Sequence, residues 1–236
     1  MCDLWPVNKM RKVRQNRKKK EILNSEGESD VASTCGDDDG GEEIKVCPEN
    51  LIALDCEMVG IGKSRSNALA RCSVVDYYGN VLYDQYIKPS KSITDYRTKW
   101  SGILPQHMTH AIPFKVARKQ ILSVIKEKII IGHSLHFDFK ILKISCRKQQ
   151  IRDTSNSVML RNIAGFPLNQ TASLKRLSSA ILGRQIQVDT HCSVEDSVAA
   201  MDLYRTIEQE WEKNFQCKKE AKYLNDLFWP KWLDSQ

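Results

Sequence analysis

Two acidic residues at alternate positions of one apolar segment are the first candidates for chemistry. Asp55 and Glu57 lie within residues 51–58, and the apolar character of this segment, with Pro48 just before it, predicts a β-strand. Side chains alternate across a strand, so both carboxylates would share one face. A hard divalent cation, which prefers oxygen ligands, would relieve their repulsion. An edge strand with a hydrated face also fits, so this segment alone leaves both interpretations open.

Three residues further along the chain could complete a catalytic metal site. Asp138 lies one turn into a predicted helix after a short apolar strand, and ligand sites gather at such strand ends in open α/β sheets. Asp196 lies near the start of a long predicted helix, five positions after His191. Four carboxylates can hold two divalent cations about 3.5–4 Å apart, the arrangement used for in-line displacement at phosphorus. A histidine with an unperturbed pKa of about 6.5 is suited to accept the proton of an attacking water.

The hydrophobic pattern predicts the elements that must bring these residues together. We expect an antiparallel meander of strands at residues 51–58, 69–76 and 81–87, with a Gly79-Asn80 hairpin turn, and short strands at 129–132 and 151–154. Helices are predicted over residues 113–126, 136–144, 173–182 and 193–213. The side chains expected to face inward include Val116, Ala117, Ile121 and Val124 in the first helix, and Phe137, Ile141 and Ile144 in the second. Strands followed by alternating helices and strands indicate an α/β domain with a mixed sheet flanked by helices.

Charge is distributed unevenly along the 236 residues, whose formal net charge is +7. Residues 1–48 contain nine basic and ten acidic residues in separate blocks, a composition that predicts disorder. Residues 49–236 contain 27 basic and 19 acidic residues, which favours a polyanionic partner such as nucleic acid. We therefore expect a disordered tail at 1–48, one domain at 49–214, and a C-terminal tail at 215–236 that carries an aromatic cluster.

Other patterns concern the cellular compartment. The eight cysteines form no C-x-x-C pair, so a zinc ribbon is disfavoured and free thiols in a reducing intracellular compartment are expected. We find no secretory signal and no apolar run long enough to span a bilayer, so no membrane partner is expected. The basic block at residues 9–20 predicts a nuclear localisation signal, and within the nucleus we expect the nucleolus. The alternative is a basic arm that binds nucleic acid without sequence specificity.

The motifs together resemble those of a known enzyme family. Asp55-x-Glu57, Gly132-His133-x4-Asp138 and His191-x4-Asp196 resemble the three motifs of the DEDDh 3′-to-5′ exonucleases, which have a ribonuclease H-like fold. Residues 54–60, 69–73, 95–103 and 193–196 are similar to the interferon-stimulated-gene exonuclease subfamily. Within it, the tail at residues 228–230 most resembles the apoptosis-enhancing nucleases. The resemblance extends over about residues 50–213.

This resemblance implies an enzyme that releases 5′-mononucleotides from a free 3′ end of single-stranded RNA or DNA. It implies two ions, Mg²⁺ or Mn²⁺, and a histidine general base, His191. The implied metal ligands are Asp55, Glu57, Asp138 and Asp196. Met58 and Arg97 match positions that contact the terminal nucleotide in the subfamily; a methionine can pack on a sugar or base, and an arginine can pair with phosphate.

Two departures from the family pattern lie beside the implied general base. Cys192 replaces the usual serine, and residues 187–190 form a shorter segment than the glycine-containing version in the family. Catalysis should persist, but we expect its rate or pH optimum to differ. Two other functions compete with the exonuclease interpretation: a catalytically weak nucleic-acid-binding module, and a phosphoesterase that acts on small nucleotides. We expect structural roles for His133 and Asp153, and either base stacking or burial for Trp100.

Overall fold

A seven-stranded mixed sheet forms the centre of the computed structural model, which describes residues 46–228 and the side chains of residues 46–216. Its strands are β1 (Leu51–Ile61), β2 (Ser66–Asp76), β3 (Val81–Lys88), β4 (Ile93–Asp95), β5 (Ile112–Pro113), β6 (Ile129–Gly132) and β7 (Ile151–Asp153). The strand order is β5-β3-β2-β1-β6-β7, and β4 pairs with the end of β1. β1, β2 and β3 are antiparallel, which confirms the predicted meander, while β6 and β7 run parallel to β1.

The helices flank this sheet. They are α1 (Thr98–Ser101), α2 (Phe114–Ile125), α3 (His136–Leu142), α4 (Val158–Ile163), α5 (Leu174–Leu177) and α6 (Ser193–Phe228). The Ser173 side chain caps α5 as predicted, and a π-helical turn continues it to Gly183, whose φ of 63° ends the segment. The expected end of the last helix near Lys213 is wrong, because α6 continues to Phe228. No glycine or proline occurs between Ser193 and Pro230, so the chain has no stop signal there.

The two faces of β1 pack against different helices. Leu51 and Ala53 belong to the cluster that contains Tyr204 of α6, whereas Ile52 and Leu54 belong to the cluster that contains Ile121 of α2. Because the side-chain period of a strand is two, Asp55 and Glu57 continue the face that meets α6. The sheet therefore directs both carboxylates toward the helix that carries Asp196.

Two of the side chains predicted to face inward, Val116 and Phe137, are exposed, whereas the other five are buried or pack against the core. In α3, Asp138 and Leu142 face the interior, and Phe137 is exposed instead of facing inward, with its ring tilted by 40° against that of His136. In α2 the buried positions are Ala117, Ile121 and Ile125, while Val116 points outward. Asp138, next to Phe137, occupies the buried face of α3, and Ile141 packs against the core as predicted.

Several predictions fall outside the described residues. Residues 1–45, with the predicted disorder and the basic block at 9–20, are outside them, as are residues 229–236 of the predicted aromatic tail. Between residues 46 and 228, no helix combines the length and apolarity that crossing a bilayer requires.

Candidate active site

An acidic cluster forms where β1 meets the first turn of α6. Asp55, Glu57 and Asp196 each place a carboxylate oxygen within 4.8 Å of those of the other two. Glu57 and Asp196 are buried, and Asp55 is partly buried. Three carboxylates from positions 55 to 196 therefore converge, as the sequence motifs predict.

Asp138 lies beside this cluster rather than within the 4.8 Å group. It is buried on α3, and its charge is the largest electrostatic contribution that raises the pKa of Asp55. The Asp153 carboxylate fixes the start of α3, because it accepts hydrogen bonds from the backbone N–H groups of Ser134 (2.8 Å) and Leu135 (3.0 Å). This contact confirms the structural role expected for Asp153.

The glycine that precedes α3 allows the motif to approach β1. A Cβ atom at Gly132 would lie 2.9 Å from the backbone oxygen of Leu54 and would also collide with the Leu135 side chain. Only a residue without a side chain lets β6 come this close to β1. Gly132 thus sets the separation between the strand that carries Asp55 and the helix that carries Asp138.

Burial and mutual repulsion disfavour the charged forms of these carboxyl groups. Burial, followed by the charges of Asp138 and Asp196, raises the pKa of Asp55 well above its ordinary value. Burial raises the pKa of Glu57 to about 8, with a further contribution from Asp196. Burial also raises the pKa values of Asp138 and Asp196 to about 7. The fold thus places four carboxyl groups in an environment that stabilises their negatively charged forms poorly.

The cluster has the features of a cation site. Glu57 Oε1 and Asp196 Oδ1 are buried, and neither has a hydrogen-bond partner among the described residues. In residues 46–216, no lysine or arginine forms an ion pair with any of the four carboxylates. Buried anionic oxygens without partners are costly unless a cation binds them, and hard divalent cations such as Mg²⁺ and Mn²⁺ prefer oxygen ligands. The residues present therefore fit a divalent metal.

His191 lies at the edge of the cluster. Its Nδ1 is 3.6 Å from Asp196 Oδ2, and about two fifths of its side chain is exposed (43%). Its backbone N–H donates to the Trp100 carbonyl at 2.8 Å, which ties the histidine segment to α1. Burial, followed by the positive charge of Lys175, lowers its pKa, so the neutral imidazole that can accept a proton is favoured.

Gln187 contacts the site and was not anticipated from the sequence. Its Nε2 donates to Asp196 Oδ2 at 2.9 Å, and its backbone N–H donates to Glu195 Oε2 at 3.1 Å. Lys175 Nζ in turn donates to the Gln187 carbonyl at 2.8 Å. The backbone φ of Gln187 is 53°, a left-handed conformation that no sequence pattern signals for glutamine. The shorter segment noted at residues 187–190 thus begins with a side chain held on a candidate metal ligand.

The two candidate substrate residues, Met58 and Arg97, are linked through Asn67. Arg97 donates to Asn67 Oδ1 and to the Arg65 carbonyl, both at 2.8 Å. The Asn67 amide lies 3.9 Å from Met58 Sδ. These contacts bring a thioether and a guanidinium to the same end of β1 as the acidic cluster.

Three other side chains near the site have defined environments. His133 Nδ1 and Thr154 Oγ1 are 3.0 Å apart, which confirms the structural role expected for this histidine. Trp100 is exposed rather than buried. Cys192 Sγ lies 3.7 Å from a guanidinium nitrogen of Arg71, which is itself paired with Asp84 at 2.8 Å.

The exonuclease family model named RNase_T matches residues 52–204, which include all five motif residues. The human protein named interferon-stimulated 20 kDa exonuclease-like 2 is 51% identical over 170 residues, covering 71% of this chain and 48% of its own length. Human apoptosis-enhancing nuclease is 44% identical over 200 residues, covering 78% of this chain and 62% of its own. The chain thus spans about half to three fifths of the length of these relatives.

The solved structures support the same assignment. The pseudoubiquitin hydrolase–RNA exonuclease module of Saccharomyces cerevisiae Pan2, in complex with AAGGAA RNA, superposes with a TM-score of 0.60 and 27% identity, over 80% of this chain and 36% of that one. This similarity confirms the predicted ribonuclease H-like fold. The chain therefore belongs to the exonuclease family.

Proposed function

We propose that this protein is a metal-dependent 3′-to-5′ exonuclease that hydrolyses single-stranded RNA or DNA to 5′-mononucleotides. The observation that carries the proposal is the convergence of Asp55, Glu57 and Asp196 within 4.8 Å, with buried oxygens that lack a partner. Membership of the exonuclease family and the RNA bound to the Pan2 module support a nucleic-acid strand as substrate.

The four acids would act as metal ligands. Asp55, Glu57, Asp138 and Asp196 would hold two divalent ions, Mg²⁺ or Mn²⁺, which supply Lewis-acid stabilisation of the charge that develops at phosphorus. The rigid sheet and the capped start of α3 hold the oxygens in place before substrate arrives. Preorganisation of this kind avoids rearrangement during the reaction.

His191 would serve as the general base. With Nδ1 toward Asp196, its Nε2 is the ring atom that would accept a proton from the attacking water. The water oxygen forms a bond to phosphorus as the bond to the 3′ oxygen of the preceding nucleotide breaks. A 5′-mononucleotide leaves, and the shortened strand regains a 3′ hydroxyl.

Met58 and Arg97 would contact the terminal nucleotide. The Asn67 bridge fixes the direction of the Arg97 guanidinium, which would pair with a phosphate oxygen, and the Met58 thioether would pack on the sugar or base. The basic excess of residues 49–236 favours a polymer over a small nucleotide. The basic block at residues 9–20 is the basis for proposing a nuclear, and within the nucleus a nucleolar, location.

A product ladder tests this proposal. The full chain is incubated with 5′-labelled single- and double-stranded RNA and DNA, with Mg²⁺ or Mn²⁺ or with chelator, and a strand blocked at its 3′ end serves as control. We expect stepwise shortening of the unblocked single strand that requires metal. Absence of products in metal would favour the weak binding module, and faster cleavage of a mononucleotide ester would favour the small-molecule phosphoesterase.

Substitution of the base separates its role from metal binding. His191→Ala should lower the rate by about 10²–10⁴-fold, the usual contribution of a general base. Calorimetric titration with Mn²⁺ should show nearly unchanged affinity. Loss of metal binding in this variant would contradict the assignment of His191 as base.

A further inference from the structure

A groove of about 370 Å³ is formed by α5, the π-helical turn that follows it, and Phe166. It is lined by aromatic, cationic and small polar side chains: Phe166, Lys175, Arg176, Ser179, Ala180 and Gln185. We call it the α5 groove. This combination of an aromatic ring, two cations and small polar groups suits a chain of phosphates and bases.

The α5 groove is connected to the catalytic residues by hydrogen bonds. Lys175 Nζ donates to the Gln187 carbonyl at 2.8 Å, and the Gln187 amide donates to Asp196 at 2.9 Å. A strand whose 3′ end lies at the acidic cluster would therefore meet Lys175 as it leaves the site.

Lys175 and Arg176 supply the positive charge of the α5 groove. Among residues 46–216, neither Lys175 nor Arg176 forms an ion pair with a carboxylate. The Arg176 guanidinium instead lies over the Phe166 ring, 4.3 Å from its centroid. Stacking on a ring holds the guanidinium plane and leaves its N–H edge available for a phosphate.

A second groove differs in this respect. It has a volume of about 450 Å³ and contains Arg184, Arg205 and Asp202. Asp202 pairs with Arg184 at 2.7 Å and with Arg205 at 3.4 Å. An acid of the chain thus shares the charge of this groove, whereas no acid among residues 46–216 pairs with the cations of the α5 groove.

We propose that the α5 groove binds the phosphodiester backbone of the substrate strand upstream of the 3′ end held at the acidic cluster. Arg176 and Lys175 contact phosphates, and Phe166 contacts a base or sugar. This inference rests on the proposed exonuclease function and adds to it a requirement for strand length. A trinucleotide fills the site at its 3′ end but reaches the groove less completely than a dodecamer.

A length series with matched charge variants tests the groove. We would measure kcat and KM for release of the first nucleotide from single-stranded RNA, using a trinucleotide and a dodecamer. The full chain would be compared with Arg176→Gln and with Arg184→Gln, which removes the same charge from the other groove. Phe166→Leu, which keeps an apolar side chain against the core, provides a second variant.

Arg176→Gln should raise the dodecamer KM by about threefold to tenfold, the effect of one partly exposed charged contact. The dependence of log KM on log salt should weaken by about 0.7. In Arg176→Gln the trinucleotide KM should rise less than the dodecamer KM, and kcat should stay at its wild-type value. Arg184→Gln should have the wild-type kcat and KM for both substrates. Phe166→Leu should raise the dodecamer KM without changing the salt dependence, because it removes no charge.

Other outcomes would overturn the inference in distinguishable ways. If the wild-type protein cleaves neither substrate, the proposed function is wrong, and the inference about the groove, which rests on it, fails as well. If the wild-type protein cleaves both substrates but the dodecamer KM of Arg176→Gln equals that of the wild type or of Arg184→Gln, the inference about the groove is wrong while the proposed function stands. Binding of polyglutamate that Arg176→Gln abolishes, with an unchanged dodecamer KM, would assign the groove to an acidic protein segment instead.

Discussion

Two groups of buried charged residues include a side chain of α6, and they differ in whether the chain itself supplies the opposite charge. Arg152 of β7 is almost fully buried, yet both its Nε and a terminal nitrogen donate to Glu212 at 2.6 Å. Tyr204 donates to the same carboxylate at 2.8 Å, and the Phe215 ring lies 4.3 Å from the guanidinium. The acidic cluster of Asp55, Glu57 and Asp196, with Asp138 beside it, has charges of one sign and oxygens without partners.

The difference separates a charge pair that the chain neutralises internally, Arg152–Glu212, from an acidic cluster whose oxygens fit a bound cation. Burial of a charge is costly unless it is paired and hydrogen-bonded, and the Arg152–Glu212 pair meets both conditions within the chain. The acidic cluster forms no ion pair with a lysine or arginine of residues 46–216, and two of its buried oxygens have no hydrogen-bond partner there, although Gln187 donates to Asp196 Oδ2. Such perturbed groups concentrate at functional sites. The contrast predicts that substitutions in the first group change stability, and that those in the second change activity.

The largest expected effect is the loss of turnover in Asp196→Asn. Removal of one proposed metal ligand should cost several kcal/mol of transition-state stabilisation, which corresponds to about 10³-fold or more in rate. The free energy of unfolding should stay equal or rise, because one member of a repelling cluster becomes neutral. Nuclease assays and urea unfolding measure both quantities. Asp202→Asn, on the same helix but in a surface pair with Arg184, should retain turnover; near-normal turnover of Asp196→Asn would contradict the metal site.

Arg152→Met should produce the converse result. It leaves Glu212 buried without its partner, so the free energy of unfolding should fall by about 3–5 kcal/mol. Activity per folded molecule should be unchanged at a temperature where the variant remains folded. The double variant Arg152→Met/Glu212→Gln should recover part of the loss in urea unfolding, because it removes the unpaired charge. A loss of activity larger than the loss of folded protein would show that the two groups are coupled.

The sequence is informative about the acidic cluster because the cluster depends on short-range rules. Alternation along β1 places Asp55 and Glu57 on one face, and the motif spacing locates Asp138 and Asp196 on elements that the apolar pattern predicts. The meander and the short β6 and β7 strands could be predicted for the same reason. The outward position of Phe137 could not, because the neighbouring Asp138 occupies the buried face of α3 in its place.

Contacts between distant residues leave no such pattern. Arg152 and Glu212 are separated by 60 positions, and neither residue stands out in a chain that is 28% charged. The hydrogen bond from Gln187 to Asp196 depends on a left-handed backbone and on Lys175 of α5. Tertiary packing decides these contacts, so they become visible only in the folded chain.

Gln187→Ala tests the side-chain hydrogen bond from Gln187 to the acidic cluster, which is donated to Asp196 Oδ2. Its loss should weaken metal binding. Loss of a side chain that orients a metal ligand typically lowers metal affinity by about 10–100-fold. Calorimetric titration with Mn²⁺ measures this change directly. Gln185→Ala, on the same segment but bonded to Ser179, should leave the metal affinity unchanged. Tighter metal binding in Gln187→Ala would show that Gln187 competes with the metal rather than orienting Asp196.

The smallest expected effect is the pH dependence of stability in the metal-free protein. The pKa of Glu57 is about 8 in the folded chain and that of Asp196 about 7, both above their ordinary values. The folded protein therefore binds more protons than the unfolded chain, and the stability present at low pH is lost as pH rises through these values. For each such group, the free energy of unfolding should fall by up to about 1.4 kcal/mol per pH unit.

The contribution of the cluster is obtained by subtracting the curve of Glu57→Gln from that of the wild-type protein, both unfolded in urea with chelator between pH 5 and pH 9. We expect the difference to decline with pH in chelator and to flatten in Mn²⁺, because a bound cation offsets the negative charges. Arg152→Met should lower the whole curve without changing its slope, since its partner Glu212 is not part of the cluster. A flat difference curve in chelator would mean that the cluster stabilises its own negative charge, and the contrast between the two groups would then be lost.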